Sequence, residues 1–363
     1  MTHQEPIRVL IVDDSAFIRQ AIRRVLSEEP NIEVVDTAVN GREGLEKIFR
    51  LRPNLVTLDL EMPEMDGFAV LRALRDAGLE VPVIVISSLT QEGAEATLEA
   101  LALGAVDFIP KTHGPGATDI GRLRRELRTK IAHIASGYCG RTAMRVPDHT
   151  GGGAAKAPEF SAKGSERPEV VLIGASTGGP MALQRIFSAW HEPLPVPVVV
   201  VQHMPPLFTQ SLAKRLDSVS ALEVKEAENG DRLEPGRAYV GPGGRQMRLV
   251  RREGALYVHL HDEPYPSPFR PSVNMVASSI AVACGPRAIG VILTGMGDDG
   301  ALGLKAMHDR GAFIIGQDEA TSVIYGMPRA AFEIGAVDVQ LPLEAIPQAV
   351  RKLLSHTPRT VAV

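Results

Sequence analysis

Two groups of residues in this 363-residue chain have the types and spacing to do chemistry. The first is Asp13-Asp14, Asp59 at the end of an apolar run, Ser87 and Lys111. Carboxylates crowded together repel one another unless a cation sits between them, and a hard, oxygen-seeking Mg²⁺ suits such a set. The same charge would neutralise incoming phosphoryl oxygens while Asp59 attacks as the nucleophile. Lys111 would pair with the acidic cluster, and Ser87 would sense the phosphoryl group by hydrogen bond. The second group is Gly174-Ala175-Ser176-Thr177-Gly178-Gly179, Gln202-His203-Met204-Pro205 and Gly295-Met296-Gly297-Asp298-Asp299-Gly300. The G-x-S-x-G spacing lets a serine sit on a tight strand-to-helix turn, where the helix N-terminus favours developing negative charge. An imidazole nearby can act as general base, and Asp298 or Asp299 can supply the carboxylate that orients it. The first group suits accepting a phosphoryl group and the second suits hydrolysing an acyl bond.

The elements that would hold the first group alternate strand and helix. Apolar runs at Arg8–Val12, Ile32–Val35, Asn54–Asp59, Val83–Ile86 and Asp107–Ile109 read as strands, with helix-period segments over Ser15–Ser27 and Gly41–Leu51 between them. Continuous apolar strands alternating with helices indicate a parallel sheet covered on both faces. In such a sheet ligands bind outside the carboxyl ends of the strands. Asp13 and Asp14 close the first strand, Asp59 the third and Ser87 the fourth, and Lys111 follows the fifth, so all five side chains can converge on one rim. One or two aspartates at strand ends would be unremarkable, but five suitable residues at successive strand ends argue against coincidence.

From 137 to 167 the periodicity stops, and Gly151-Gly152-Gly153-Ala154-Ala155-Lys156-Ala157-Pro158 reads as a flexible linker. Strands resume at Val170–Ile173, Val196–Val201, Ala238–Val240, Ile289–Leu293 and Phe313–Ile315, with Gln246–Val250 and Leu256–Leu260 as a hairpin. The chain is therefore read as α/β, with two doubly wound parallel-sheet domains at 1–136 and 168–357 joined by the linker. Ser176 and His203 each follow a strand and fall at the same carboxyl-end rim. The chain order Ser, His, Asp differs from that of α/β-hydrolases, but triads recur in unrelated orders.

Blander readings stand beside these. A Gly/Ser/Thr turn is common without chemistry, and a lone histidine is often a satisfied core residue. Gly295–Gly300 also fits G-x-G-x-x-G after a strand, with Asp318 ending the next strand at a plausible ribose distance. Against a dinucleotide there, the two carboxylates inside the loop would point negative charge at a pyrophosphate.

Composition narrows the classes further. A formal net charge of -4 gives no electrostatic footprint for nucleic acid, and the basic run Arg122–Arg128 has the helical spacing of a solvated face. The N-terminus has no charged-then-apolar leader, and no apolar stretch approaches the ~20 residues needed to span a bilayer. The expectation is a soluble, cytoplasmic protein, not inserted in a membrane. Two cysteines make no disulfide framework: Cys139 falls in the seam, and Cys284, in an apolar helix, reads as a small core residue.

Residues 7 to about 128 resemble a response-regulator receiver domain, on Asp13/Asp14, Leu58-Asp59-Leu60-Glu61-Met62-Pro63-Glu64-Met65-Asp66-Gly67, Ser87 and Lys111. The resemblance implies a flavodoxin-like fold, Asp59 as phosphoacceptor, and Mg²⁺ held at Asp13, Asp14, Asp59 and the Glu61 carbonyl. It also implies Ser87 as the switch hydroxyl, Phe108 as a rotating aromatic, and a histidine kinase of the chemotaxis type as phosphoryl donor. Pro110 precedes Lys111, where many receivers have proline after the lysine, and this should reshape the output face.

From about Val170 to Leu354 the chain is similar to the catalytic domain of chemotaxis protein-glutamate methylesterases, the CheB family. The matching stretches are Ile173–Pro180, Val201–Pro205, Tyr239-Val240-Gly241-Pro242-Gly243 and Leu293–Ala301. This implies a Rossmann-like fold with Ser176 as nucleophile, His203 as base and Asp299 as orienting carboxylate. Asp298 stands where the family often has asparagine. Backbone N–H groups near Thr177 and Met296 become candidates for the oxyanion hole. The implied reaction is hydrolysis of glutamyl γ-methyl esters on methyl-accepting chemoreceptors, with methanol released, no cofactor for the ester step, and deamidation of receptor glutamines by the same chemistry. The unphosphorylated receiver is expected to pack over the catalytic rim, and phosphorylation of Asp59 to loosen it. A non-enzymatic phospho-switch and a nucleotide-dependent oxidoreductase are the rival classes.

Overall fold

A computed structural model describes residues 5–111, 120–139, 166–262 and 267–355. The chain divides into two compact units, 1–145 and 146–363. In the first, the order is β1 (Ile7–Val12), α1 (Ala16–Ser27), β2 (Ile32–Ala38), α2 (Gly41–Leu51), β3 (Leu55–Asp59), α3 (Gly67–Asp76), β4 (Val83–Ser88), α4 (Gln91–Ala102), β5 (Asp107–Lys111) and α5 (Ile120–Cys139). The strands form one parallel sheet in the order β2-β1-β3-β4-β5. Val9 to Val12, Leu55, Val56 and Leu58 have no exposed surface, as strands covered on both faces require. Four helices open on side-chain caps: Ser15 Oγ accepts from Ile18 N, Asn40 from Glu43 N, Asp66 from Ala69 N and Thr90 from Gly93 N. The direction of winding reverses between β1 and β3, and the carboxyl ends of these two strands carry Asp13 and Asp59.

The helix α5 explains the basic run. Leu123, Leu127, Ile131 and Ile134 are buried at helical spacing, while Arg124 and Arg128 pair with Glu28 and Glu29 just after α1. The helix continues to Cys139, past the boundary expected at 136, so Cys139 ends a helix and does not lie in a seam. The glycine-rich stretch read as a linker lies outside the described residues.

The second unit runs β6 (Val170–Ala175), α6 (Gly179–Ser188), β7 (Val198–Gln202), α7 (Phe208–Asp217), β8 (Glu223–Glu226), β9 (Arg237–Val240), β10 (Gln246–Arg252), β11 (Ala255–His261), α8 (Val273–Cys284), β12 (Ala288–Ile292), α9 (Ala301–Asp309), β13 (Phe313–Gln317), α10 (Met327–Glu333), β14 (Val339–Leu341), a 3₁₀ turn (Leu343–Ala345) and α11 (Ile346–Ser355). Seven strands form a parallel sheet in the order β14-β13-β12-β6-β7-β9-β8. The strands β10 and β11 form the expected hairpin, closed by Glu253 and Gly254, both at positive φ as a primed two-residue turn demands. Its Met247, Leu249, Val258 and Leu260 join Val276 and Ile280 of α8 and the sheet in one core cluster, which also buries Cys284. Winding reverses here between β6 and β12, which diverge in sequence but lie side by side.

Among the described residues no helix is long and apolar enough to cross a membrane.

Candidate active sites

In the first unit, oxygens of Asp13, Asp14 and Asp59 lie within 4.8 Å of one another. Asp13 and Asp59 are buried, while Asp14 is exposed. Lys111 Nζ donates to Asp59 Oδ2 at 2.6 Å and lies 3.3 Å from Asp13 Oδ2. Burial, then the neighbouring Asp59 charge, pushes the Asp13 carboxyl up to about 6 against the opposing pull of Lys111. Burial alone would lower the Lys111 pKa; its hydrogen bond and charge interaction with Asp59, helped by Asp13, reverse that and raise it. Asp13 Oδ1 is held by the Ser15 amide at 2.9 Å, whereas buried Oδ2 faces only the Lys111 ammonium, 3.3 Å away and shared with Asp59. Three carboxylates with ligand atoms within 4.8 Å of one another, whose repulsion one shared lysine does not offset, fit a hard divalent cation such as Mg²⁺.

Of the remaining residues expected at this rim, Glu61 and Ser87 line a cavity with the cluster, and Phe108 is not among its lining residues. A cavity of about 240 Å³ is lined by Asp14, Asp59, Glu61, Ser87 and Lys111 among others. The Glu61 amide donates to Asp59 Oδ1 at 3.4 Å, so the chain after β3 curls round that carboxylate. Ser87 Oγ is directed into α4: it donates to the Gly93 carbonyl at 3.0 Å and accepts from Thr97 Oγ1 at 2.6 Å. Phe108 is buried, with Lys130 Nζ bonded to its carbonyl and 5.4 Å from its ring centroid. Pro110 lies in edge strand β5 opposite Ser87, where a missing N–H is tolerated.

In the second unit, Ser176 follows β6, His203 follows β7, and Asp299 lies in the loop after β12. These three adjacent strands bring them to one rim at the winding reversal. His203 Nε2 and Asp299 Oδ2 are 2.8 Å apart. Asp299 is 3% exposed, whereas Asp298 points to solvent, so only one of the two adjacent carboxylates meets the imidazole. Asp299 also closes the start of α8: it accepts from Ser272 Oγ at 2.8 Å, Val273 N at 2.7 Å and Asn274 N at 3.1 Å. Burial alone would raise its pKa, but the hydrogen bond and charge of His203, with Ser272 and Asn274, hold it below the usual carboxylate value.

An ionised Asp299 only accepts, so Nε2 carries the proton and Nδ1 is the basic nitrogen of the neutral ring. His203 Nδ1 is buried without a hydrogen-bond partner. Half-buried Ser176 makes no hydrogen bond to it among the described residues.

The serine turn is fixed from several sides. Gln202 Nε2 donates to the Ser176 carbonyl at 2.9 Å and to the His203 carbonyl at 3.3 Å, while His203 N donates to Ala175 O at 3.1 Å. Ser176 N donates to Thr294 O at 3.1 Å, and Thr294 Oγ1 donates to Thr177 O at 2.9 Å. Gly178 takes φ +77° at the start of α6. Met296 follows Gly295, which packs so closely that a Cβ there would be 2.8 Å from Ser176 Cβ. Thr177 thus adjoins the serine in the chain, and Met296 adjoins the glycine packed against it. Asp318, the residue a ribose would need, is occupied by Thr321, which donates to Oδ1 from its amide at 2.9 Å and its hydroxyl at 2.7 Å.

Several neighbours escaped the sequence reading: Gln202 as a clamp, Ser272 and Asn274 as partners of Asp299, and Phe269 stacked on His203. Only Ser272 left a local signal, a serine directly before the apolar run that becomes α8, where it accepts from Met275 N.

The CheB methylesterase family model matches residues 171–350, and that of the response regulator receiver domain matches residues 9–118. Protein-glutamate methylesterase/protein-glutamine glutaminase 1 of Oleidesulfovibrio alaskensis is 43% identical over 365 residues, covering 95% of this chain and 98% of its own. The protein-glutamate methylesterase/protein-glutamine glutaminase of Pyrococcus abyssi is 44% identical over 347 residues, covering 95% and 92%. Among solved structures, the CheB methylesterase catalytic domain of Thermotoga maritima is 40% identical with a TM-score of 0.50, over 52% of this chain and 100% of that one.

Proposed function

The chain belongs to the CheB family of protein-glutamate methylesterases/protein-glutamine glutaminases, and from that premise we propose how its own residues perform and control the reaction. Ser176 Oγ attacks the carbonyl carbon of a glutamyl γ-methyl ester and gives its proton to His203 Nδ1. Asp299 stabilises the imidazolium through Nε2. The N–H groups of Thr177 and Met296 receive the oxyanion. His203 returns the proton to the leaving methanol, and the same nitrogen then deprotonates a water that frees glutamate from Ser176. With a glutamine substrate the same steps release ammonia. The observation that carries this reading is the 2.8 Å His203–Asp299 contact at strand ends adjacent to the Ser176 turn, with Nδ1 left as the available base.

The substrate is a methyl-accepting chemoreceptor and the setting is the cytoplasm. In the receiver half, Asp59 is the phosphoacceptor, and Asp13, Asp14, Asp59 and the Glu61 carbonyl would hold Mg²⁺, which supplies charge neutralisation of the phosphoryl oxygens. Lys111 pairs with Asp59 and is placed to meet a phosphoryl oxygen there; Ser87 would leave the Gly93 carbonyl to reach another. A histidine kinase of the chemotaxis type is the donor. Phosphorylation relieves an inhibition that the receiver domain exerts, to the extent that it favours the active state over the inhibited one. Ester hydrolysis itself needs no cofactor.

Methanol release from methylated receptor and ammonia release from receptor glutamines test the shared site. Both should vanish together in Ser176→Ala and in His203→Ala. Retention of either activity in either variant would overturn the assignment.

A further inference from the structure

The ring of Phe269 lies 4.1 Å from that of His203, centroid to centroid, at an interplanar angle of 4°. It therefore covers one face of the imidazole whose edge carries Nε2 to Asp299. Resting on the triad assignment above, we propose that Phe269 is a positioning residue for the esterase reaction: it fixes the plane of His203 so that Nδ1 faces Ser176, and its π-face favours the imidazolium formed on proton transfer.

The case begins with how the aromatic is held. Buried Gln246, the first residue of β10, donates from Nε2 to the Phe269 carbonyl at 2.8 Å and accepts from the Ser272 amide at 3.1 Å. The Phe269 amide donates to Ser267 Oγ at 3.1 Å. One glutamine thus clamps a short segment at both ends. From that segment Phe269 reaches the face of His203, and Ser272 reaches the carboxylate partnering the same imidazole. Gln246 at the start of the hairpin therefore supports both constraints on the base, the carboxylate at Nε2 and the aromatic face.

The second part is electrostatic. Nε2 is fixed by Asp299, but a single hydrogen bond permits the ring to rock about it. A parallel aromatic face removes that freedom at little entropic cost. The face of a benzene ring carries partial negative charge and attracts a cation more than a neutral ring, so the contact strengthens as the proton moves from Ser176 to Nδ1. An aliphatic residue of similar size would fill the space and keep water off the ring, but would supply neither effect.

The test compares Phe269→Leu with Phe269→Tyr in the full-length protein, on methylated receptor with phosphodonor present, following methanol release and unfolding temperature. The expected result for Phe269→Leu is a kcat lowered roughly tenfold, with KM and the unfolding midpoint unchanged. Phe269→Tyr should keep most of the wild-type kcat. Equal kcat in wild type and Phe269→Leu, or equal losses in both variants, would overturn the proposal. Ser176→Ala and His203→Ala run beside them: activity persisting in those two would sink the triad reading itself, a failure distinct from that of Phe269.

Discussion

Asp299 carries two tasks at once, and the tasks can be separated. Its Oδ2 meets His203, while Ser272 Oγ and two amides of α8 fill its remaining acceptor sites. In Asp299→Asn the amide group would face donors with a donor of its own and favour the wrong imidazole tautomer. The expected loss in kcat is on the order of a thousandfold or more, with about 1–3 kcal/mol of stability lost at neutral pH. The sign of the pH effect follows from the lowered pKa. Such a carboxylate adds stability above its unfolded value of 3.8 and loses it as pH falls through the lower folded value. Urea unfolding of the wild type below about pH 4 should therefore be steeper in pH than that of Asp299→Asn. Residue types alone named Asp298 and Asp299 together, because adjacent residues share every motif argument, and only the family resemblance chose Asp299. Only the loop path, with Gly297 and Gly300 at positive φ, turns one inward and leaves the other in water. Phe269 was illegible for a related reason: no periodicity links it to a histidine far along the chain.

At the scale of elements, the parallel strands were readable because burial on both faces leaves unbroken apolar runs such as Val9–Val12 and Val198–Val201. The strands β8 and β14 were not. Both lie at the edges of the second sheet, and Glu223-Val224-Lys225-Glu226 carries the charges with which edges avoid pairing, not the apolar run of a central strand. Close approach between elements is where single atoms matter most. The loop after β12 presses Gly295 against the serine turn and the start of α10, so a Cβ there would collide with Met327 Sδ and crowd Ser176. Gly295→Ala should cost about 1–3 kcal/mol of stability, measured by thermal unfolding, and lower kcat at unchanged receptor binding. Wild-type kcat in this variant would show that the serine turn tolerates displacement.

At the scale of the whole molecule, two units with separate sheets and separate cores divide the labour between control and hydrolysis. The solved catalytic domain from Thermotoga maritima is covered over 100% of its own length by 52% of this chain. A fragment beginning at residue 168 should therefore fold and hydrolyse receptor methyl esters faster than the unphosphorylated full-length protein. Equal or lower activity would remove simple inhibition by the receiver. Asp59→Asn should keep basal activity and lose its response to phosphodonor. The most direct measurement of the central claim is methanol release from methylated receptor by wild type and Ser176→Ala, each with and without acetyl phosphate. Release that rises with the phosphodonor in wild type and is absent from Ser176→Ala under both conditions is the predicted result. Release that ignores the phosphodonor, or that survives loss of the serine hydroxyl, would contradict a serine esterase controlled by its own receiver.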